Sequence, residues 1–405
     1  MFTRTWCVAA LLIVSVPAAS QTVLSETDAL ARFSADSPRA RAIRAGADVA
    51  RAEVLTAGRW PNPRLTVDRE SVAGVSETLT TVLQPLAVTG RRAFERSAAS
   101  ASADAAASRA DDDVRRVRAD LQLAYADLAA AQLRERELTR SGERLAELSR
   151  ILGRREAAGD AAGFDRLRAE RDVIEVEADR ALAVADRARA QARLAGFFAP
   201  GLDPSTLVAA DLPTGAHDLP AVDILVQRAE VVRGQLLALG KDLHSARLSL
   251  RAAERRRIPE PEVLAGTKSS TVGGGDIGSV VGVQAALPLF DRGRPERAIA
   301  QARASQAEAQ LDSLRVVLRS QIAEARAAAV ERRRAAEAYR TAVAVNAGEV
   351  ERIAQVSYDA GERGILDLLD ALRTSSSARI RQAALDAAAR GAEIELEFVS
   401  GWEIQ

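Results

Sequence analysis

The segment YDAGERGILDLLDA (Tyr358–Ala371) places Asp367 and Asp370 three residues apart. In a helix, carboxylates at that spacing lie on one face. Such a pair can act as acid and base, hold a cation, or form a solvated edge. Acid–base work needs a cavity that a bare helix face does not supply. His217 and His244 are the only histidines, and neither has a partner at metal-ligand spacing. The chain contains no nucleophile elbow, phosphate loop or CxxC motif. It therefore reads as a non-enzyme, without a cofactor or a metal site.

Composition narrows the class further. Acidic and basic residues balance at 56 each, which gives no charge excess directed at nucleic acid. Aromatic residues make up only 3% while alanine is abundant, a composition suited to helices packed closely on small side chains. Residues 1–20 read as a signal peptide: Arg4 is the positive start, Trp6 to Val16 is an apolar run too short to span a bilayer, and PAAS offers small residues for cleavage. The lone Cys7 falls inside that run, so the mature chain would carry neither a disulfide nor a thiolate ligand. No later segment approaches the roughly 20 apolar residues of a transmembrane helix.

An internal repeat organises the rest. Pro85, Leu86, Gly90 and Arg91 of QPLAVTGRR match Pro288, Leu289, Gly293 and Arg294 of LPLFDRGRP. Upstream, WPNPRL (Trp60–Leu65) pairs with IPEPEV (Ile258–Val263); downstream, the segment Ala157–Glu170 pairs with Asp359–Ala371. Each half reads as a helix, a β-hairpin, a very long helix, a tight turn and a returning helix. The first repeat covers 21–199, with a hairpin at 64–86 and a helical hairpin at 91–199. A Pro-, Gly- and Asp-rich linker covers 200–220, and the second repeat covers 221–405, with a hairpin at 262–289 and a helical hairpin at 294–400. The opening helices are expected over Glu26 to about Arg59 and about Ala221 to Arg257. Apolar residues at helical spacing, such as Leu121, Tyr125 and Leu128, or Leu145, Leu148 and Leu152, support helices of about 65 residues, roughly 100 Å long.

In the second hairpin Val281, Val283, Ala285 and Leu287 alternate with Gly282, Gln284 and Ala286. This suits a membrane β-strand and equally a half-buried soluble hairpin; the export signal favours the membrane. Two hairpins give four strands, too few to close a barrel, and an open edge cannot sit in lipid. A spanning chain must therefore oligomerise.

The duplicated layout, together with RWPNPRL, LPLFDRGRP and YDAGERGILDLLDA, resembles the TolC family of outer-membrane efflux proteins over essentially the whole mature chain. The resemblance implies a mostly α fold with a small β part: a homotrimer whose 12-stranded β-barrel spans the outer membrane of a Gram-negative cell and continues into a periplasmic α-helical tunnel. It implies as partners outer-membrane lipid, a periplasmic adaptor (membrane fusion) protein and an inner-membrane transporter, with the resistance-nodulation-division type as the candidate. Substrate would pass through passively, and the overall look leans toward heavy-metal resistance systems. By the same resemblance Asp367 and Asp370 are pore-entrance carboxylates, and Asp165, Tyr358 and Arg363 are the gate links that hold the tunnel shut. Two departures stand out: Trp60 and Phe290 are the only aromatic candidates near the strands, and no lipid-anchor cysteine is present. The alternative is a periplasmic coiled-coil adaptor or scaffold without a pore, although adaptors insert one helical hairpin into a β-rich chain.

Overall fold

The computed structural model describes residues 22–33, 37–159, 163–213, 218–290 and 292–403. The signal-peptide reading of 1–20 lies outside them, as does His217.

Strand β1 (Thr22–Leu24) precedes helices α1 (Glu26–Arg32) and α2 (Pro38–Ala57), where the sequence pattern suggested one helix. Pro38 lacks the N–H that would continue α1, but its fixed φ suits the first turn of a new helix. The first hairpin is β2 (Arg64–Val72) and β3 (Val75–Pro85). It leads into the 67-residue α3 (Arg91–Ala157) and then α4 (Gly163–Ala195). The linker contains a short strand, β4 (Leu207–Ala209), that the sequence reading missed.

The next expected helix is again two, α5 (Val222–Val232) and α6 (Gly234–Arg255), separated by Arg233 in extended backbone. The second hairpin is β5 (Pro261–Ser270) and β6 (Asp276–Ala285), joined through Gly273, Gly274 and Gly275 at positive φ. The second long helix is shorter than its counterpart: α7 (Arg294–Tyr339) loosens into a π turn at Arg340–Ala344 before α8 (Ala347–Asp359) begins. Helix α9 (Ile365–Ser400) closes the described chain.

These elements form two compact units. One comprises Phe33–Leu123, Pro213–Val345 and Ala384–Gln405; the other comprises Met1–Arg32, Ala124–Leu212 and Asn346–Ala383.

The first unit contains a four-stranded antiparallel sheet in the order β2-β3-β5-β6, which leaves β2 and β6 as edges. Residues opposite one another in an antiparallel ladder share a face. The register Leu65↔Val82↔Ala265↔Val281, with Val263↔Val283 and Pro261↔Ala285, therefore puts these apolar residues on one face. Val281 is 80% exposed and Leu65 66%. The other face mixes Leu79, Leu83, Leu264 and Val280 with paired polar groups: Arg64 bonds Glu262 at 2.7 Å, Lys268 bonds Glu77 at 2.6 Å, and the Thr66 and Thr81 hydroxyls meet at 2.6 Å. Gly266 permits this close pairing, since a Cβ there would lie 2.1 Å from the Thr80 carbonyl oxygen.

Below the sheet, Leu225, Leu236, Leu311, Leu318, Ile322 and Leu396 join Ala229, Ala329 and Ala392 in one apolar cluster. Arg116 forks onto Glu395 (2.8 and 2.9 Å) while stacking on Phe398, and Arg233 also lies over that ring at 4.4 Å.

In the other unit β1 and β4 pair in parallel. The buried Tyr125 of α3 shares its O–H proton between the Leu24 and Ala210 carbonyls (2.9 and 3.1 Å). Burial, with smaller contributions from Glu26, Asp211 and Asp28, pushes its pKa up to about 12. Gln132 accepts from the Ala209 N–H and Gln191 donates to the Leu207 carbonyl, which ties β4 to α3 and α4.

Candidate functional site around the helical turns

Helix α8 ends in a left-handed glycine cap. Gly361 (φ +74°) donates to the Tyr358 carbonyl at 3.0 Å, and Glu362 donates to the Ser357 carbonyl at 2.9 Å. These are the two bonds of a Schellman motif, and only glycine takes that φ without strain. Gly159 (φ +81°) closes α3 in the same manner, donating to the Glu156 carbonyl at 2.9 Å. The first turn is braced by Arg166, which bonds Glu156 at 2.5 Å and Glu170 at 2.6 Å.

Leu145, Leu148 and Leu152 of α3, Ala169 of α4, Ala354 of α8, and Ile365, Leu368, Leu369 and Leu372 of α9 form the apolar cluster beside the turns. With Ile365, Leu368 and Leu372 turned inward, Asp367 and Asp370 fall on the exposed face of α9. Neither makes a hydrogen bond or ion pair with a described residue, and Asp367 also sits in the first turn, where the helix dipole favours an anion. Arg363 is exposed, with its backbone N–H on the Ser357 carbonyl.

Tyr358 packs against the leucine cluster, and its hydroxyl accepts from Arg155 of α3 at 3.1 Å, with the guanidinium 6.0 Å from the ring centroid. Asp165, half-buried in the first turn of α4, makes no hydrogen bond or ion pair with a described residue. Within the chain the structure thus joins Tyr358 to Arg155 and does not bring Asp165, Tyr358 and Arg363 together. Arg155 escaped the sequence reading because a tyrosine–arginine contact between separate helices leaves no periodic trace.

Farther from the turns, the same unit holds a second feature that the sequence did not reveal. Glu137 and Glu351 are buried, and Arg379 of α9 bridges them at 3.3 and 3.0 Å. Arg140 adds a 2.8 Å bond to Glu137, and Arg144 pairs with Glu351. Arg144, Glu351 and Arg379 line a groove of about 550 Å³ with Leu148, Ile151 and Leu372, and share a second one of about 290 Å³ with Glu137 and Arg140. Two carboxylates met by three arginines tie α3, α8 and α9 together. Among the described residues no group of three or more His, Cys, Asp or Glu could hold a metal ion, and no helix is long and apolar enough to cross a membrane.

Residues 225–401 match the family described as outer membrane efflux protein. The chain is 27% identical to the cobalt-zinc-cadmium resistance protein CzcC of Cupriavidus metallidurans over 335 residues, 81% of this chain and 78% of that one. Its fold is shared with a membrane protein from Pseudomonas aeruginosa (TM-score 0.77, 20% identity, 93% of this chain and 92% of that one). It is also shared with the outer membrane protein VceC of Vibrio cholerae (TM-score 0.74, 17% identity, 93% and 96%). The resemblance to the TolC family read from the sequence agrees with the family and relative matches, and the expected fold with both structures.

Proposed function

We propose that this chain is the outer-membrane exit duct of a tripartite efflux system, passively conducting substrate delivered by an inner-membrane pump through a periplasmic adaptor. The observation that carries the proposal is the four-stranded sheet. Its strands are 9, 11, 10 and 10 residues long, the length of a tilted membrane β-strand. One face carries the exposed Leu65, Val67, Ile277, Val281 and Val283, the other mixes leucines with the Arg64–Glu262 and Lys268–Glu77 pairs, and both edges are open. In lipid each unpaired edge group would cost several kcal/mol, and edge-to-edge association of identical sheets removes that cost. Three copies close a 12-stranded barrel with room for a lumen.

In this reading the two helical hairpins, one from each duplicated half, build the periplasmic tunnel. Asp367 and Asp370 from three chains line its entrance, where exposed carboxylates concentrate cations. The cargo class they favour is cationic, in line with the name of the relative from Cupriavidus metallidurans. Asp165, Tyr358 and Arg363 act as gate links in the closed trimer. The Arg155 contact uses only the acceptor lone pair of Tyr358, so the phenolic proton remains available to a carboxylate such as Asp165.

The test is planar-bilayer recording of the detergent-purified protein beside Tyr358→Phe/Arg363→Ser, with particle mass measured in parallel. Three chains per particle, small cation-selective openings, and larger openings in the double variant are expected. Unchanged conductance in the variant would remove the gate assignment, and the absence of channels from a folded trimer would remove the duct.

A further inference from the structure

The two ends of the sheet differ in chemistry. At one end lie the short turns Ala73–Gly74 and Thr271–Gly275. At the other, where β2 and β5 begin and β3 and β6 finish, the chain exposes large apolar groups: Trp60 at 63% and Phe290 at 99%, with Val88, Leu287 and Leu289 beside them. The same end carries Arg59, Arg257, Arg292 and Arg294, all exposed and none in an ion pair with a described residue. Three carboxylates there are already engaged: Glu260 with Arg91, Glu262 with Arg64, and Glu296 with Arg256. Arg59, Arg257, Arg292 and Arg294 thus remain exposed beside the ends of the strands that carry the apolar face.

An aromatic that buries its ring beside a guanidinium that stays in water is the side-chain pairing of a membrane–water boundary. We infer that this end of the sheet is a belt for the anionic phosphate headgroups of the adjoining phospholipid leaflet, with Arg59, Arg257, Arg292 and Arg294 as headgroup partners and Trp60 and Phe290 as anchors. The inference rests on the proposal that the sheet spans a membrane. It adds the lipid chemistry that would hold the barrel at a fixed depth. Lipid, rather than a protein, is the occupant because the basic residues continue an apolar strand face and flank both hairpins instead of marking one groove. Each basic side chain near an anionic surface strengthens association about fivefold, an effect confined to roughly a Debye length.

The experiment places the full chain in vesicles of phosphatidylcholine alone or of phosphatidylcholine with phosphatidylglycerol, and then measures which lipid stays bound after gentle detergent extraction. The wild type should retain phosphatidylglycerol over phosphatidylcholine at about 0.1 M salt, and lose that preference at about 1 M, where screening is short-ranged. Arg59→Gln/Arg257→Gln/Arg292→Gln/Arg294→Gln should lower the preference by at least about tenfold at low salt while still inserting. Equal retention of both lipids by the inserted wild type at low salt would overturn the belt and leave the membrane reading intact. Failure to insert into either vesicle would instead overturn the membrane reading, and the belt with it. The salt dependence of the wild type keeps the test decisive should the fourfold variant fold poorly.

Discussion

Gly234 opens α6 directly against α3, and Gly234→Ala should unseat it. A Cβ at this position would lie 2.2 Å from the Ser108 carbonyl oxygen, 2.8 Å from Asp112 Cβ and 3.2 Å from the Asp112 nitrogen. Two of these atoms are helix backbone and cannot swing aside, so α6 has to retreat. Overpacking of this kind costs about 1–3 kcal/mol. Retreat also stretches the 3.0 Å bond from the Gly234 N–H to the Asp112 carboxylate and the 3.4 Å Arg233–Asp112 contact beside it. A buried hydrogen bond to a charged group is worth about 1.5–3 kcal/mol. Because one displacement causes both losses, about 3–5 kcal/mol is expected in total. Gly240, in the same helix, is the control: a Cβ added there would meet no atom within 4 Å, so Gly240→Ala should stabilise by about 1 kcal/mol or less through helix propensity alone. Thermal unfolding of the detergent-solubilised protein, followed by far-UV circular dichroism at one scan rate, should rank Gly240→Ala highest and Gly234→Ala lowest. A Gly234→Ala protein melting at or above wild type would refute the reasoning, since it would mean that α6 can leave α3 without cost.

Other outcomes follow from the same geometry. Tyr125→Phe removes the donor of the Ala210 carbonyl, while the Leu24 carbonyl keeps the Ala210 N–H, and should cost about 1–3 kcal/mol in the same melts. With the Tyr125 pKa raised to about 12, its share of stability should be complete below about pH 10 and lost as pH rises toward 12, a loss absent from Tyr125→Phe. For Glu260, burial alone would raise the pKa, but hydrogen bonds from Arg91 and Thr89 overcome it and hold the pKa below 4.5. Its stabilisation should therefore be present above pH 4.5 and disappear as pH falls through the lower folded value, so Glu260→Gln should flatten the acid limb of the melting curve. Asp367→Asn/Asp370→Asn should shift the reversal potential of the channel toward non-selectivity, because three chains would lose six carboxylates at the entrance; an unchanged potential would place the selective region elsewhere.

The amino-acid sequence alone determined the features that follow local rules. Leucines at helical spacing over about 65 residues demand a rod. Gly159 and Gly361 mark where the rods stop, because only glycine takes the left-handed cap, and both have positive φ in the structure. The alternation Val281, Val283, Ala285 gave the strand, and the Ile365, Leu368, Leu372 spacing put Asp367 and Asp370 on the opposite, exposed face. Tertiary structure alone decided whatever depends on pairing residues far apart in the chain. Strands β1 and β4 have three residues each, too short to show an alternating pattern, and exist because they pair with each other under Tyr125. The breaks at Arg233 and Arg340–Ala344 interrupt patterns that read as continuous helix, since neither contains a proline and the cause of the first lies in α3. The bridging of Glu137 to Glu351 through Arg379, and of Tyr358 to Arg155, joins charges and rings on separate helices. In a chain with 56 basic and 56 acidic residues nearly every charge has many possible partners in sequence, and only packing selects one.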